Sequence, residues 1–202
     1  WTMNVEGAYT DFDANTFSNL NDQNNKGFAC KVNLKEKIAG KKEGKVLLWE
    51  INSENLSSTF TRIERIREVE FERNWNVREI VRYGESEWLS EAKVVREFSP
   101  GKFISFSGAR YEIGSVYEAN RAKLLINANL TQRVKLQVDA SALETKGVVN
   151  SSFLRQKAHL YREGKRFTVG VRDEQEQNTF ANAQQSYKFF DGEAYFRSTD
   201  TT

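Results

Sequence analysis

Cysteine, histidine and proline are nearly missing from this chain, with one of each in 202 residues. A single cysteine excludes an internal disulfide and any multi-cysteine metal site. Cys30 shares its parity with Phe28, Val32 and Leu34 and reads as a small buried hydrophobe. A triad or zinc centre built on one histidine would need partners that the sequence does not supply, so His159 reads as a neutral or solvated strand residue. Charge of one sign is also lacking: 30 basic residues face 28 acidic ones, for a net charge of +2. That balance gives no field to draw in nucleic acid or a strongly anionic membrane surface. No run approaches the roughly 18 apolar residues of a spanning helix. No signal peptide stands at the N-terminus, and a chain beginning at Trp1 reads as a processed form, a fragment or an excised domain. The length suits one domain or a part of something larger.

Aromatic residues are plentiful: 14 Phe, 7 Tyr and 4 Trp. Disordered chains lack such content, so this one folds. The most informative stretch is Ala122–Ala142. Ala122, Leu124, Ile126, Ala128 and Leu130 alternate with polar residues. After a short polar turn at Gln132-Arg133, Val134, Leu136, Val138, Ala140 and Ala142 resume the apolar face, with Lys135, Gln137, Asp139 and Ser141 on the other. Only Leu125 breaks the pattern. Side chains alternate across a strand, so this is one apolar surface made by two antiparallel strands.

The same period recurs along the chain. Strands are expected at Val5–Asp11, Phe28–Ile38, around Leu47–Ile51, Val69–Val77, Trp88–Phe98, Lys102–Tyr111, Phe153–Tyr161 and Arg166–Asp173. A last pair, Tyr187–Phe190 and Glu193–Arg197, is expected to turn at Asp191-Gly192, a strong hairpin signal. Arg62–Glu72 also allows a helix, but the alternation from Val69 to Val77 is cleaner. Gly40–Gly44, Ser99–Gly101 and Arg162–Lys165 read as short turns. Asp11–Gly27, Asn52–Thr61 and Asn178–Ser186 read as long polar loops. About ten or eleven strands with short links give an up-and-down antiparallel meander. One internal echo stands out: Gly7…Asp11-x-Asp13-x-Asn15-Thr16-Phe17-x-Asn19 returns as Gly170…Glu174-x-Glu176-x-Asn178-Thr179-Phe180-x-Asn182. If it records a duplication, both copies end equivalent hairpins and leave the same edge of the sheet.

Alternation allows two readings. In a soluble sheet the apolar face packs inward; in an outer-membrane barrel it faces lipid and the polar face lines the interior. Ala122–Leu130 and Val134–Ala142 have the roughly 9–11 residues of a transmembrane strand. Short turns opposite long loops fit the barrel. Gln156 and Arg96 on apolar faces, and the 29% of charged residues, count against it.

Two blocks bear on the choice. Arg67-Glu68-Val69-Glu70-Phe71-Glu72-Arg73-Asn74-Trp75-Asn76 resembles an R-x-V-E-F-x-R-x-W-N block of very large, β-strand-rich outer-membrane and cell-surface proteins of the Bacteroidota, including proteins tied to type 9 secretion and gliding. Arg172-Asp173-Glu174-Gln175-Glu176-Gln177-Asn178-Thr179-Phe180 is similar to their R-x-E-x-E-x-N-x-F strand ends. The likeness covers about a quarter of the chain, and Asn74 stands where an Asp is more usual. It implies an outer-membrane or surface location and carries over no catalytic residue.

Three local patterns have the composition of a site. Asp11-x-Asp13-x-Asn15…Asp22 has the spacing of a calcium loop, yet Thr16 replaces the Gly of its sixth position and no helices flank it, so it reads as a polar loop. Glu174 and Glu176, about 7 Å apart on one strand face, have a separation used by glycosidases; beside Asp173 they read as an acidic strand end. Trp49, Trp75 and Trp88 fit sugar stacking, a headgroup girdle or a core equally. The expectation is therefore an all-β antiparallel meander, closed or curled into a barrel, forming one domain over residues 1–202 or part of a longer barrel chain. It is expected to serve as a structural or transport-related part of a Gram-negative outer membrane or cell surface. Lipid or other surface proteins are its expected partners, with no catalytic residue, cofactor or metal. The alternative is a soluble extracytoplasmic β domain that binds a ligand, glycan or partner protein.

Overall fold

A computed structural model of the chain describes residues 1–13, 25–40, 45–62, 67–77, 84–147, 150–181 and 186–198. They form one sheet of ten antiparallel strands whose spatial order is their order in sequence. The strands are β1 (Thr2–Asp11), β2 (Lys26–Ala39), β3 (Val46–Leu56), β4 (Glu87–Ser99), β5 (Lys102–Ile113), β6 (Tyr117–Asn129), β7 (Val134–Gly147), β8 (Ser151–Glu163), β9 (Phe167–Phe180) and β10 (Tyr187–Ser198). A four-residue helix, α1 (Phe71–Asn74), lies in the β3–β4 connection. The expected all-β antiparallel meander is what forms.

Register follows from hydrophobic alternation, because a one-residue slip would send every side chain to the other face. In the β6–β7 pair Ala122 opposes Ala142, Leu124 opposes Ala140, Ile126 opposes Val138 and Ala128 opposes Leu136. The two apolar rows predicted for Ala122–Ala142 thus merge into one surface. The pattern spreads outward in register. One face, the apolar face, carries Val32, Ile51, Val94, Phe106, Leu136, Val171 and Phe196, and the other, the polar face, is largely hydrophilic.

All connections at one end of the sheet, the lower end, are short: 40–45, 100–101, 130–133 and 164–166. Pro100-Gly101 makes the tightest of them, with Gly101 at φ +73°, a conformation glycine adopts without a Cβ clash. The longest connections, 12–25 and 57–86, lie at the upper end. Glycine serves a different end at Gly170, which faces Tyr195 across β9–β10; a Cβ there would come within 2.6 Å of the phenol ring. The ring lies over the glycine backbone and fills the gap in the sheet surface.

Several expectations need correction. The sheet is open: β1 and β10 are edges, and the sheet does not close or strongly curl. Val69–Val77 is not a strand but α1 with its flanks, because Phe71, Trp75 and Val77 are buried against the sheet rather than paired in it, while Val69 is exposed. Asp191-Gly192 does not turn; β10 runs straight through it, since Asp191 and Gly192 pair with Glu174 and Asp173 in an unbroken ladder. Twelve consecutive pairings along β9 outweigh a two-residue turn preference. For the same reason β3 extends to Leu56 and β9 to Phe180, shortening two expected loops. Cys30 is exposed on the apolar face instead of buried. The expected turn residues 41–44 lie outside the described residues.

The internal echo keeps neither its strand ends nor its phase: β1 ends at Asp11 while β9 runs on past the matching Glu174 to Phe180, and Asn15–Asn19 and Asn182 lie outside the described residues. Both copies run toward the upper end, yet Gly7 lies on the apolar face and Gly170 on the polar one. The two segments are therefore not equivalent in the sheet.

Candidate functional site: a clasp on the polar face

Residues 67–77 fold back from the β3–β4 connection onto the upper part of the polar face. Their apolar side chains explain why. Phe71, Trp75 and Val77 pack on Tyr111 and Ile113 of β5, Tyr117 and Ala119 of β6, Leu143 of β7 and Phe153 of β8. Trp75 and Val77 are each 1% exposed, and Tyr111 and Ile113 are fully buried. The rings of Phe71, Trp75 and Tyr117 each meet Tyr111 obliquely or edge-on at 5.2–5.8 Å between centroids, the geometry favoured by aromatic quadrupoles. The hydroxyl of Tyr117 donates to the carbonyl of Trp75, and the Arg121 guanidinium lies 4.5 Å over the Trp75 ring.

The helix is too short to be stable alone. Its end is fixed by a Schellman arrangement: Val77 N–H donates to Glu72 at 3.0 Å and Asn76 N–H to Arg73 at 3.3 Å. Asn76 takes the left-handed position at φ +51°, which Asn tolerates better than most residues with a Cβ. Its side chain makes a reciprocal amide pair with Asn178, each Nδ2 donating to the other's Oδ1 at 3.0 Å, and donates to Ser151 Oγ at 2.9 Å.

Two charged anchors hold the segment, one at its start and one in α1. At the first, Arg67 reaches Glu54 at 2.8 Å and Glu87 at 3.6 Å, Arg62 meets Glu87 at 2.6 Å, and the Tyr111 hydroxyl donates to Glu87 at 2.7 Å. At the second, Arg73 donates to both oxygens of Glu176 at 2.7–2.8 Å, and Arg155 pairs with the same carboxylate at 2.8 Å. Burial lowers the proton affinity of Arg73, but the hydrogen bond and charge of Glu176 together outweigh it, so the net shift is upward and the guanidinium stays charged. Both carboxylates are buried, and a buried charge is stable only when paired and hydrogen-bonded.

The two blocks singled out in the sequence therefore meet. Arg73 and Asn76 of the first bind Glu176 and Asn178 of the second, while Arg67 pairs with Glu54 and Glu87 and Phe71 and Trp75 pack on the sheet. Sequence reasoning misses the far side of these contacts. Glu54, Glu87, Tyr111, Arg121, Ser151 and Arg155 are scattered over five strands, and only their polar-face parity marks them.

The other candidates fall apart or are occupied. Glu174 and Glu176 do share a face, but Glu174 pairs with Lys157 at 2.6 Å and Glu176 belongs to the clasp. Asp173 points to the apolar face, where Gln156 and Gln175 donate to it. Asp11 ends β1, and Asn15 and Asp22 lie outside the described residues. Among the described residues no group of three or more His, Cys, Asp or Glu side chains could hold a metal. Trp75 is core. Trp49 and Trp88 lie on the apolar face with their indole N–H groups bonded to Glu36 and Ser53. His159 is hydrogen-bonded to the Tyr195 hydroxyl at 2.8 Å and stacks on Tyr161.

Comparison with known proteins finds no matching family model, no matching curated protein and no matching solved structure.

Proposed function

We propose that this chain is a structural or transport-related part of a β-barrel wall in the outer membrane or cell surface of a Gram-negative bacterium. Its apolar face meets lipid, its polar face lines the interior, and residues 67–77 are clasped to that interior wall. The reading assigns it no catalysis, no cofactor and no nucleic acid. The observation that carries it is an inversion. The tightest packing lies on the polar face, while among the described residues nothing covers the face with continuous hydrophobic alternation: Val5, Phe28, Phe106, Val169 and Phe196 are all at least half exposed. Soluble chains rarely leave so broad an apolar surface open, and a lipid-facing sheet requires one.

Two further features support this reading. One end of the sheet has only short connections and the longest ones lie at the other, as in outer-membrane barrels. The clasp also engages the two blocks that resemble surface proteins of the Bacteroidota. Unpaired backbone along β1 and β10 cannot face hydrocarbon, so within the bilayer both edges are paired, with each other, with a second copy or with further strands.

The open, weakly curled sheet favours a second reading, a soluble extracytoplasmic domain whose apolar face docks a partner protein, glycan or ligand. Purifying residues 1–202 with and without detergent separates the two. The barrel-wall reading expects aggregation in plain buffer and recovery of β circular dichroism in micelles. A monodisperse β-rich monomer without detergent overturns it.

A further inference from the structure

The apolar face is not uniformly apolar, and the way it departs from uniformity has a direction. Consider rows of residues directly opposite one another across successive strands. One row reads Gly7, Cys30, Asn55, Trp88, Glu112, Glu118 and Lys146. It begins apolar at β1–β2 and is charged by β5–β7. A parallel row, nearer the lower end, reads Ala128, Leu136, Leu160, Val171 and Ala194 and stays apolar through β10. The row between them runs from Met3, Leu34 and Ile51 through Ala92, Ala122 and Leu154, then turns polar at Gln177 and Lys188. The hydrophobic surface is therefore a diagonal band.

We infer that this band is a lipid belt crossing the sheet obliquely, from Met3–Tyr9 in β1 to Phe190–Phe196 in β10, with the strands tilted about 32° from the membrane normal. The inference rests on the barrel-wall reading and specifies which residues meet hydrocarbon. The tilt comes from register. Glu6, the middle of the β1 run, lies three residues above Met3, and Glu193, the middle of the β10 run, lies five residues below Lys188 in Met3's row. A drift of about eight residues over nine strand steps is roughly 3.0 Å along the strand for every 4.8 Å sideways, hence the angle. Transmembrane barrels tilt by slightly more, about 35–45°. A nine-residue run such as Val134–Ala142, so tilted, stands about 26 Å tall, close to the roughly 25 Å of a barrel's apolar band.

The belt also resolves the charges on this face. Asp11, Arg110, Glu118, Glu144, Asp173 and Lys188 lie above it, and Glu36, Arg96, Lys102 and Arg162 lie below it. Arg96, which spoils an apolar face when read strand by strand, falls at the lower border beneath Val94 in β4; Gln156 lies within the belt, between Leu154 and Ala158 in β8, where it donates to Asp173 of β9.

The native thiol gives the test. Cys30 is exposed within the belt. A nitroxide attached there, in the full chain reconstituted into phosphatidylcholine vesicles, is compared with labels on Val169→Cys and Glu118→Cys in a Cys30→Ser background. Accessibility to oxygen, which partitions into hydrocarbon, is measured against that to a water-soluble nickel chelate. The expected oxygen-to-nickel ratio is several-fold higher at positions 30 and 169 than at 118, although 118 shares the row of Cys30 and 169 lies far from it. Phe196→Cys and Glu112→Cys repeat the contrast on other strands should the first variants fail to insert. Equal depth at 30 and 118 with a wet label at 169 overturns the oblique belt and leaves the membrane reading standing. Labels reached by nickel at every position, or screened from both reagents as under a protein cover, overturn both.

Discussion

Strands β5 and β6 carry large hydrophobes on both faces, and the two faces treat them in opposite ways. On the polar side Tyr111 and Ile113 are wholly buried; a few residues away on the apolar side of the same strand, Phe106 is 57% exposed and Ile104 40%. Hydrophobicity does not distinguish them. Tyr111 and Ile113 are buried because residues 67–77 lie over them, and Phe106 and Ile104 are open because nothing in the described chain does. In this sheet a core is made by a connection folding back, not by the alternation of the strands. The alternation serves whatever lies outside.

That contrast can be broken from either side. The largest effect is expected for Trp75→Ala, which removes the most enclosed side chain of the clasp. Truncating a buried Trp costs about 3–5 kcal/mol, and urea unfolding in micelles should show a loss of that order. An unchanged midpoint would mean that the clasp unfolds apart from the sheet. Leu136→Arg tests the other face. A charge in the lipid belt costs about 2–4 kcal/mol, so the variant should lose insertion into vesicles. If Leu136 instead belongs to a water-soluble core, the variant unfolds in plain buffer. Wild-type behaviour in both assays contradicts the strand assignment itself. Glu176→Gln comes third. It leaves shape intact but weakens the charge-assisted bonds from Arg73 and Arg155. Hydrogen bonds to charged groups contribute about 1.5–3 kcal/mol, and the part-exposed Arg73 brings the expectation to about 1–2 kcal/mol. Faster amide exchange across 67–77, with β8–β9 unchanged, is the readout; equal exchange in both proteins removes Glu176 from the clasp.

The sheet is legible in the sequence because period-two alternation is a local signal. In Ala122–Ala142 the apolar positions and the polar turn between them are enough to write down the register. The signal fails where a local preference competes with a long partner. Asp191-Gly192 resembles a turn, but every residue around it has a ladder mate on β9. Val69–Val77 fails for a different reason. Phe71, Trp75 and Val77 share a parity, yet a helix of one turn followed by a left-handed Asn also sends them to one side, and four helical residues are too few to display a 3.6-residue period. The readable hint is Asn76 directly after Trp75, an αL cap signal. The clasp itself is half legible. Both of its blocks stand out, but Arg73 and Glu176 lie 103 residues apart, and only the strand order brings them together. The oblique belt is hidden for a related reason: each strand read alone shows an apolar run, and the slant exists only once ten registers are aligned.

The smallest predicted effect separates two contributions at Asn76. This residue holds a left-handed backbone and also makes the amide pair with Asn178. Asn76→Gly keeps the backbone at no steric cost and loses the side-chain bonds to Asn178 and Ser151. Asn76→Ala loses the same bonds but keeps a Cβ where the conformation disfavours one, a difference from Gly of about 1 kcal/mol. Both variants should therefore be less stable than the parent in micelles, with Ala below Gly by that margin. Only the clasp should respond, so lipid accessibility at Cys30 on the opposite face should stay at its parent value. If Ala and Gly prove equal, the turn is held by Trp75 and Val77 in their pocket, and the cap merely follows. If the lipid accessibility at Cys30 moves as well, the two faces are coupled through the sheet, and the separation drawn between a clasp and a belt does not hold.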